Sequence, residues 1–353
     1  MANRSADELR LITERIFTAA GAPTETAQEM AEALVGANLA GHDSHGVIRI
    51  PAYLNQIKEG ALDPAARPGI IKETATTALV DGKWGFGHVA AKYGTDVAIR
   101  KAKQSSTAVV SIVRCNHIGR LGQWASQAAA EDVVALVVVG GGGGSSRMGT
   151  GTAAPFGGAE RALSTNPIAI GIPGGETPDM LVDFATTVVA EGKLQVARAK
   201  GAPVPPGAIL DKDGRPTTDA NDFYNGGVML PFAGHKGYGL SMFVEMLGGA
   251  LTPGDEYNGD GRRGGAVVWA VDAFAFRTRE SYEQNADFVL QRIKRIKPAQ
   301  GFDEVLLPGE PEMRSAQARL TEGIPVADTT WEQIVEGGKA VGVDVEALVA
   351  GAR

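Results

Sequence analysis

Cysteine is almost absent: the 353-residue chain has one, Cys115, which excludes an intramolecular disulfide and a cysteine-built zinc site. Aromatic residues make up only 6%, leaving little on which to stack nucleobases. There is no block of Lys and Arg, and 34 basic against 41 acidic residues give a net charge of −7. That sign disfavours a nucleic-acid or anionic-membrane surface. Long hydrophobic runs are missing too. The longest purely apolar stretch, Val133 to Val139, is far short of the ~20 residues that cross a bilayer, and the opening MANRSADELR lacks a signal-peptide core. The expectation is a cytoplasmic protein with small-molecule partners, without nucleic acid or membrane.

Glycine, in contrast, is abundant: 47 residues, nearly twice the share of ~7% in an average soluble protein. Nine of them fall between 140 and 160 and twelve between 226 and 265, with no G-X-Y period, so collagen is excluded. At 44% hydrophobic and 21% charged residues the chain can bury a core, and its length suits one large or two ordinary domains.

Ser5-Ala-Asp-Glu8 has the form of a capping box, and Leu9, Ile12, Ile16 and Phe17 follow at helical spacing up to Gly21. A second helix is expected from Thr24 into Gly41. Two helices thus come first with no strand before them, whereas a Rossmann domain usually opens with a strand, a glycine turn and a helix. From Thr77 short apolar runs (78–80, 108–113, 133–139, 168–172) alternate with Ala-rich helical stretches near 89–103 and 121–131, an α/β pattern. Residues 199–222, rich in Pro, Gly and Asp, read as a surface excursion turning at Asp213-Gly214. A helix over 239–251, a glycine-rich loop over 254–265, a strand over 266–276, a helix over 281–297 and two short helices from Thr329 complete the expected order.

All five histidines, His42, His45, His88, His117 and His235, lie within two residues of a glycine, which places most of them at element ends. In Gly41-His-Asp-Ser-His-Gly-Val-Ile-Arg-Ile-Pro-Ala-Tyr53, His45 and Arg49 are four apart and become neighbours on a helical turn, although Pro51 interrupts a continuous helix. A guanidinium holding a carboxylate beside an imidazole that moves a proton suits an α-keto or α-hydroxy acid. Tyr53 can close the same pocket. The plain alternative is a helix-end turn with a solvated Arg, and a metal site of His42, His45 and His117 also competes. The strand 133–139 running into Gly140-Gly144 invites a dinucleotide fingerprint, but Pro155 and four glycines in 147–158 forbid the helix that should follow. Asp183, interrupting an apolar strand, needs a partner if buried, and an imidazole suits it. Lys236, among glycines before a helix, fits a phosphate or carboxylate.

Seven motifs in one order, 41–53, Asn116-His-Ile-Gly119, Pro155-Phe-Gly-Gly158, Ser164-Thr-Asn-Pro167, Asp183-Phe-Ala-Thr-Thr-Val-Val189, Gly234-His-Lys-Gly-Tyr-Gly239 and Leu307-Pro-Gly-Glu310, resemble the type 2 malate/L-lactate dehydrogenase family over about residues 5 to 345. This family includes sulfolactate and ureidoglycolate dehydrogenases, diketogulonate reductase and piperideine-2-carboxylate reductase. The resemblance implies a non-Rossmann NAD(P)-binding fold: a larger α/β domain (76–240) with a smaller, mostly helical domain (1–75, completed by part of 240–330) and C-terminal helices (329–353). It also implies a homodimer and NAD or NADP as cofactor. Carried over by position, His45 is the acid/base histidine with Asp183 its partner, and His117 is a second candidate proton acceptor. Ser44, Arg49 and Tyr53 fall to the substrate carboxylate, and no residue to a metal. Thr165, Asn166, Asp183, Phe184, Ala185, His235, Lys236, Pro308, Gly309 and Glu310 fall to the cofactor.

The implied reaction is hydride transfer between nicotinamide and a small 2-hydroxy or 2-keto acid. Reduction of a cyclic imino acid is the alternative within the same chemistry. A metal-dependent hydrolase and a non-catalytic binder are the alternatives from other classes. Two departures from the family pattern are Cys115-Asn-His-Ile-Gly119, where Ser-Asn-His-Phe-Gly is usual, and the glycine loop 140–151.

Overall fold

Ser5 caps the first helix as its pattern demands, its hydroxyl accepting the Glu8 N–H at 3.0 Å. The computed structural model describes residues 2–141, 151–259 and 264–351, so most of the glycine loop at 140–151 and part of that at 254–265 lie outside the described residues. A strand of three residues, β1 (Ala2–Arg4), does precede the first helix and corrects the helix-first order. It pairs antiparallel with residues 324–326, a partnership too short and too distant in sequence to leave a periodic signal. Helices α1 (Ala6–Ala19) and α2 (Thr24–Leu39) follow. Two single 3₁₀ turns, Asp43–His45 and Val47–Arg49, then lead into α3 (Ile50–Lys58). Pro51 does not break that helix; it sits in its first turn, where no N–H is needed. The break falls instead at Gly46, in extended conformation between the two turns.

The α/β part runs β2 (Gly69–Glu73), β3 (Thr77–Asp81), α4 (Gly87–Ser105), β4 (Thr107–Val113), α5 (Leu121–Ala129), β5 (Val133–Gly140), β6 (Ile168–Ile172) and β7 (Met180–Phe184). Next come α6 (Glu191–Lys200), β8 (Ile209–Leu210), β9 (Pro216–Thr217), α7 (Ala220–Tyr224) and β10 (Val228–Met229). The segment 199–222 is therefore more than a surface excursion. β8 and β9 form a hairpin, β10 joins them in a small sheet, and Val204, Ala208, Ile209 and Ala220 are buried with Leu194 and Phe223 in a core of their own. The Pro and Gly content marks its turns and hides the apolar positions between them. The chain ends with α8 (His235–Met246), a π turn at Leu247–Leu251, α9 (Gly254–Tyr257), β11 (Gly265–Asp272), α10 (Arg279–Lys294), α11 (Glu310–Glu322), β12 (Ile324–Val326), α12 (Asp328–Ala340) and α13 (Val345–Gly351).

The main sheet has the order β2-β3-β4-β11-β5-β6-β7. Only β3 and β4 are parallel neighbours; every other pair in it is antiparallel. This is not the doubly wound parallel sheet of a Rossmann domain. The segment 240–330 divides: β11 enters the middle of the sheet, while α11 packs on α2 and β12 pairs with β1.

One face of the sheet is covered by α4 and α5, whose alanines let the helices come close. The opposite face carries Val138, Ile168 and Val267 under α8, and Trp269 farther along β11 is exposed. A second core joins α1, α2, α3 and the C-terminal helices around Phe17, Met30, Leu34, Ile50 and Ile334. At the end of β5, Gly140 and Gly248 meet backbone to backbone; a Cβ on Gly248 would lie 2.4 Å from the Gly140 carbonyl carbon.

Candidate active site

The antiparallel order brings the carboxyl ends of β4, β5 and β7 to the same sheet edge as the amino ends of β6 and β11. Along that edge opens a cleft of about 630 Å³, lined by residues 115–121 after β4, Val139 and Gly140, Ser164, Thr165 and Pro167 before β6, and Asp183 to Ala185 with Thr187 to Ala190 after β7. His42 and His45 close it from the helical side. The cleft thus joins the helical and α/β parts.

The two turns that carry His42, His45 and Arg49 are held from behind by Asn38. Its side chain accepts the Val47 N–H at 2.9 Å and donates to Asp43 Oδ1 at 2.7 Å, and Arg319 clamps the same carboxylate at 2.6 and 3.0 Å. Gly46 has to be glycine here, since a Cβ would lie 2.1 Å from Asn38 Oδ1. His45 Nδ1 is 3.1 Å from Ser44 Oγ, and the Arg49 guanidinium folds back so that Nε donates to the Ser44 carbonyl at 2.6 Å. His45 and Arg49 therefore lie on either side of Gly46 rather than on one helical turn, and the fold-back still brings the cation beside the imidazole.

His45 and His117 stack with centroids 5.6 Å apart and planes 18° from parallel. His88, from α4, meets His117 edge-on at 5.9 Å, and Tyr53 from α3 places its hydroxyl 2.8 Å from His117 Nδ1. Burial, then the Arg49 cation, then His42 and Arg120 pull the His45 pKa down to about 4. The His117 ring is open to the cleft, yet it sits so deep among protein atoms that its protonated form is poorly solvated. This burial, with His88, Arg49 and His45 around it, lowers its pKa well below the usual histidine range. Both imidazoles are neutral at neutral pH. Among the described residues no three His, Cys, Asp or Glu side chains converge as metal ligands.

Other expected residues are placed differently. Asp183 lines the cleft, but its carboxylate accepts the Gly122 N–H at 2.8 Å and does not bond His45. Burial raises its pKa against the opposing pull of that N–H and of Arg120. Tyr53 lies beneath the cleft floor rather than in it. Asn166 is fully buried and turned toward α8, donating to Ser241 and to Glu245 Oε2. Thr165, Phe184 and Ala185 line the cleft. His235 and Lys236 start α8 and are exposed. The Pro308 carbonyl accepts the Leu181 N–H at 3.0 Å, Gly309 borders a second pocket of about 500 Å³ between α2, α5, β7 and α11, and Glu310 is ion-paired with Lys294.

Sequence reasoning missed Trp84, Arg120 and Lys193, all of which line the cleft. Trp84 has a positive φ of 56° at the turn after β3. Arg120 immediately precedes α5; its Nε and Nη1 are buried without hydrogen-bond partners among the described residues, and burial lowers its pKa despite Asp183 and Glu312 nearby. Only its place beside the Asn116-His-Ile-Gly119 motif could have drawn attention to it.

Residues 4–335 match the malate/L-lactate dehydrogenase family. The chain is 33% identical to hydroxycarboxylate dehydrogenase B of Escherichia coli, covering 98% of this chain and 96% of that one. Among solved structures, it superposes on sulfolactate dehydrogenase from Methanocaldococcus jannaschii with a TM-score of 0.87 at 32% identity, over 98% of this chain and 99% of that one. For delta1-piperideine-2-carboxylate reductase from Pseudomonas syringae the TM-score is 0.81 at 28% identity, over 96% and 100%. Sheet order, cleft and sequence agree: the chain belongs to the malate/L-lactate dehydrogenase family and is an oxidoreductase of hydroxy acids.

Proposed function

We propose that the protein interconverts a small 2-hydroxy acid and its 2-keto acid with a nicotinamide dinucleotide, His45 moving the proton and Arg49 holding the substrate carboxylate. The observation that carries this reading is His45 at the cleft wall beside an Arg49 whose guanidinium bonds the Ser44 carbonyl and has no carboxylate partner among the described residues. Such a cation takes a carboxylate through two parallel hydrogen bonds. With its charge offset by the substrate, one cause of the low His45 pKa is removed. A free imidazole then accepts the hydroxyl proton in oxidation, and the substrate-bound one returns it in reduction.

The donor set suits a dinucleotide. Ile118, Leu121, Val139, Pro167 and Val189 give flat apolar surface, Asp183 and Thr165 can hold ribose hydroxyls, and Lys193 with the unpartnered donors of Arg120 supplies positive charge for phosphate. When bound, the nicotinamide supplies or takes the hydride. Whether the cofactor is NAD or NADP, and which acid is turned over, is decided by one assay: oxidation of NADH and NADPH followed against a panel of 2-keto acids and cyclic imino acids. The imino acids belong in the panel because of the similarity to the Pseudomonas syringae reductase. No turnover with any member would overturn the reading.

We also read the chain as a homodimer in the cytoplasm. The half-covered sheet face with exposed Trp269, and the exposed Leu240, Phe243 and Met246 of α8, form an apolar surface that a second copy can bury.

A further inference from the structure

The floor of the cleft holds a contact that hydride transfer itself does not require. Tyr53 is 2% exposed, its ring packed against Phe17, Phe86 and His88. The one hydrogen-bond partner of its hydroxyl among the described residues is His117 Nδ1, at 2.8 Å. Burial raises the phenol pKa far above neutrality, so the oxygen keeps its proton and has one hydrogen to give. Two arrangements of the pair are possible. If Nδ1–H donated to the phenol oxygen, the Tyr53 O–H would point into packed aromatic rings, a buried donor without an acceptor. If Tyr53 donates, both groups are satisfied and the imidazole proton is displaced to Nε2.

From this geometry, and resting on the hydroxy-acid reading above, we infer that Tyr53 locks His117 as the Nε2–H tautomer, making it a hydrogen-bond donor to the substrate oxygen while His45 alone exchanges the proton. Tyr53 is then a positioning residue behind His117 and not a substrate contact. Every group facing His117 favours the uncharged ring: Tyr53 from α3, His45 from the first 3₁₀ turn, His88 from α4, and the Arg49 cation beyond His45. In reduction the substrate oxygen takes its proton from His45 and His117 keeps its own, the hydride to the neighbouring carbon being what a bound nicotinamide would supply. The fixed N–H stabilises charge growing on that oxygen without a change of protonation. The division of labour also explains why the site holds two stacked imidazoles with different partners at Nδ1, a serine hydroxyl for His45 and a buried phenol for His117.

The test is long-range ¹⁵N–¹H NMR of the full chain labelled in its histidine rings, without substrate or cofactor. Five histidines keep the spectrum simple, and His117→Gln identifies the His117 signals by their loss. The expected result is a protonated Nε2 with an Nδ1 shifted as a hydrogen-bond acceptor; a protonated Nδ1 overturns the inference without any need for a Tyr53 variant. Tyr53→Phe keeps the ring packing, and should move Nδ1 toward a non-bonded shift and lower kcat by about 3- to 10-fold, the equivalent of one neutral hydrogen bond, with KM for the acid unchanged. An unchanged kcat in a folded Tyr53→Phe protein counts against it. His117→Gln retains an N–H donor and should keep clearly more activity than His117→Ala; equal losses would remove the donor role. Because the tautomer is read on the resting protein, a failed substrate panel would sink the hydroxy-acid reading separately.

Discussion

His88 gives the sharpest physical test of the histidine cluster. It is 2% exposed on α4, neither ring nitrogen has a hydrogen-bond partner among the described residues, and the ring sits edge-on to Tyr53, His117 and Trp124 at 5.7, 5.9 and 6.3 Å. Burial first, then His45 and Arg49, lowers its pKa to about 3 from an ordinary 6.5. Between those two values the unfolded chain binds the proton and the folded chain does not, so stability rises with pH across the window. The contribution is complete above pH 6.5 and is lost as pH falls toward 3. At pH 4.5, two pH units below the unfolded value, the loss is on the order of 2–3 kcal/mol. His88→Met removes the titration and fills the space with an adaptable apolar chain. Urea unfolding of both proteins at pH 7.5 and pH 4.5, followed by tryptophan fluorescence, gives the comparison. The difference between variant and wild type should shift in favour of the variant by about 2–3 kcal/mol on going to the lower pH. Packing changes are common to both pH values and cancel. A difference that is the same at both would show that His88 is not held neutral.

Three further outcomes follow from the same geometry. Arg49→Met should raise the midpoint of His45 in an NMR titration from about 4 toward its ordinary value, while Arg49→Lys should leave it low and raise KM for the acid about 10-fold or more, because a point charge does not reproduce the guanidinium fork; a midpoint that ignores the loss of charge would remove Arg49 from beside His45. Gly119→Ala should destabilise by at least about 2 kcal/mol, since φ there is +73° and the new Cβ would lie 2.3 Å from His88 Nε2; thermal unfolding at neutral pH measures it, and a neutral effect would mean that the ring has room to move. Trp269→Glu combined with Phe243→Glu should give a monomer by sedimentation velocity, and a persistent dimer would place the interface elsewhere.

Local chemistry was legible where it was strong. The hydroxyl at Ser5, the valine-rich stretch at 133–139 and the turn at Asp213-Gly214 all appear as expected. Each is decided within a few residues by capping, β-propensity or a turn. What could not be read depends on distant partners. β1 has three residues and no periodicity until β12 completes it. The apolar residues between the prolines of 199–222 acquire a core only when Leu194 and Phe223 pack on them. β11 was legible as a strand, but not its insertion between β4 and β5.

The site divides along the same line, and here the division bears on chemistry. Motif matches supplied residue types, and the cleft does gather His45, His117 and Asp183, but a motif does not say which atom faces which. Asp183 has the composition of a histidine partner and spends its hydrogen bond on the amide of Gly122. Tyr53 has the spacing of a substrate ligand, four residues after Arg49, yet α3 turns its hydroxyl onto His117 Nδ1 from below. That placement is a consequence of the helical core: Phe17 and Phe86 fix the phenol ring, and the ring fixes the hydroxyl. Packing far from the substrate thus decides which imidazole nitrogen carries a proton, and no pattern within the segment 41–53 can encode that, because the acceptor lies 64 residues away on the loop after β4.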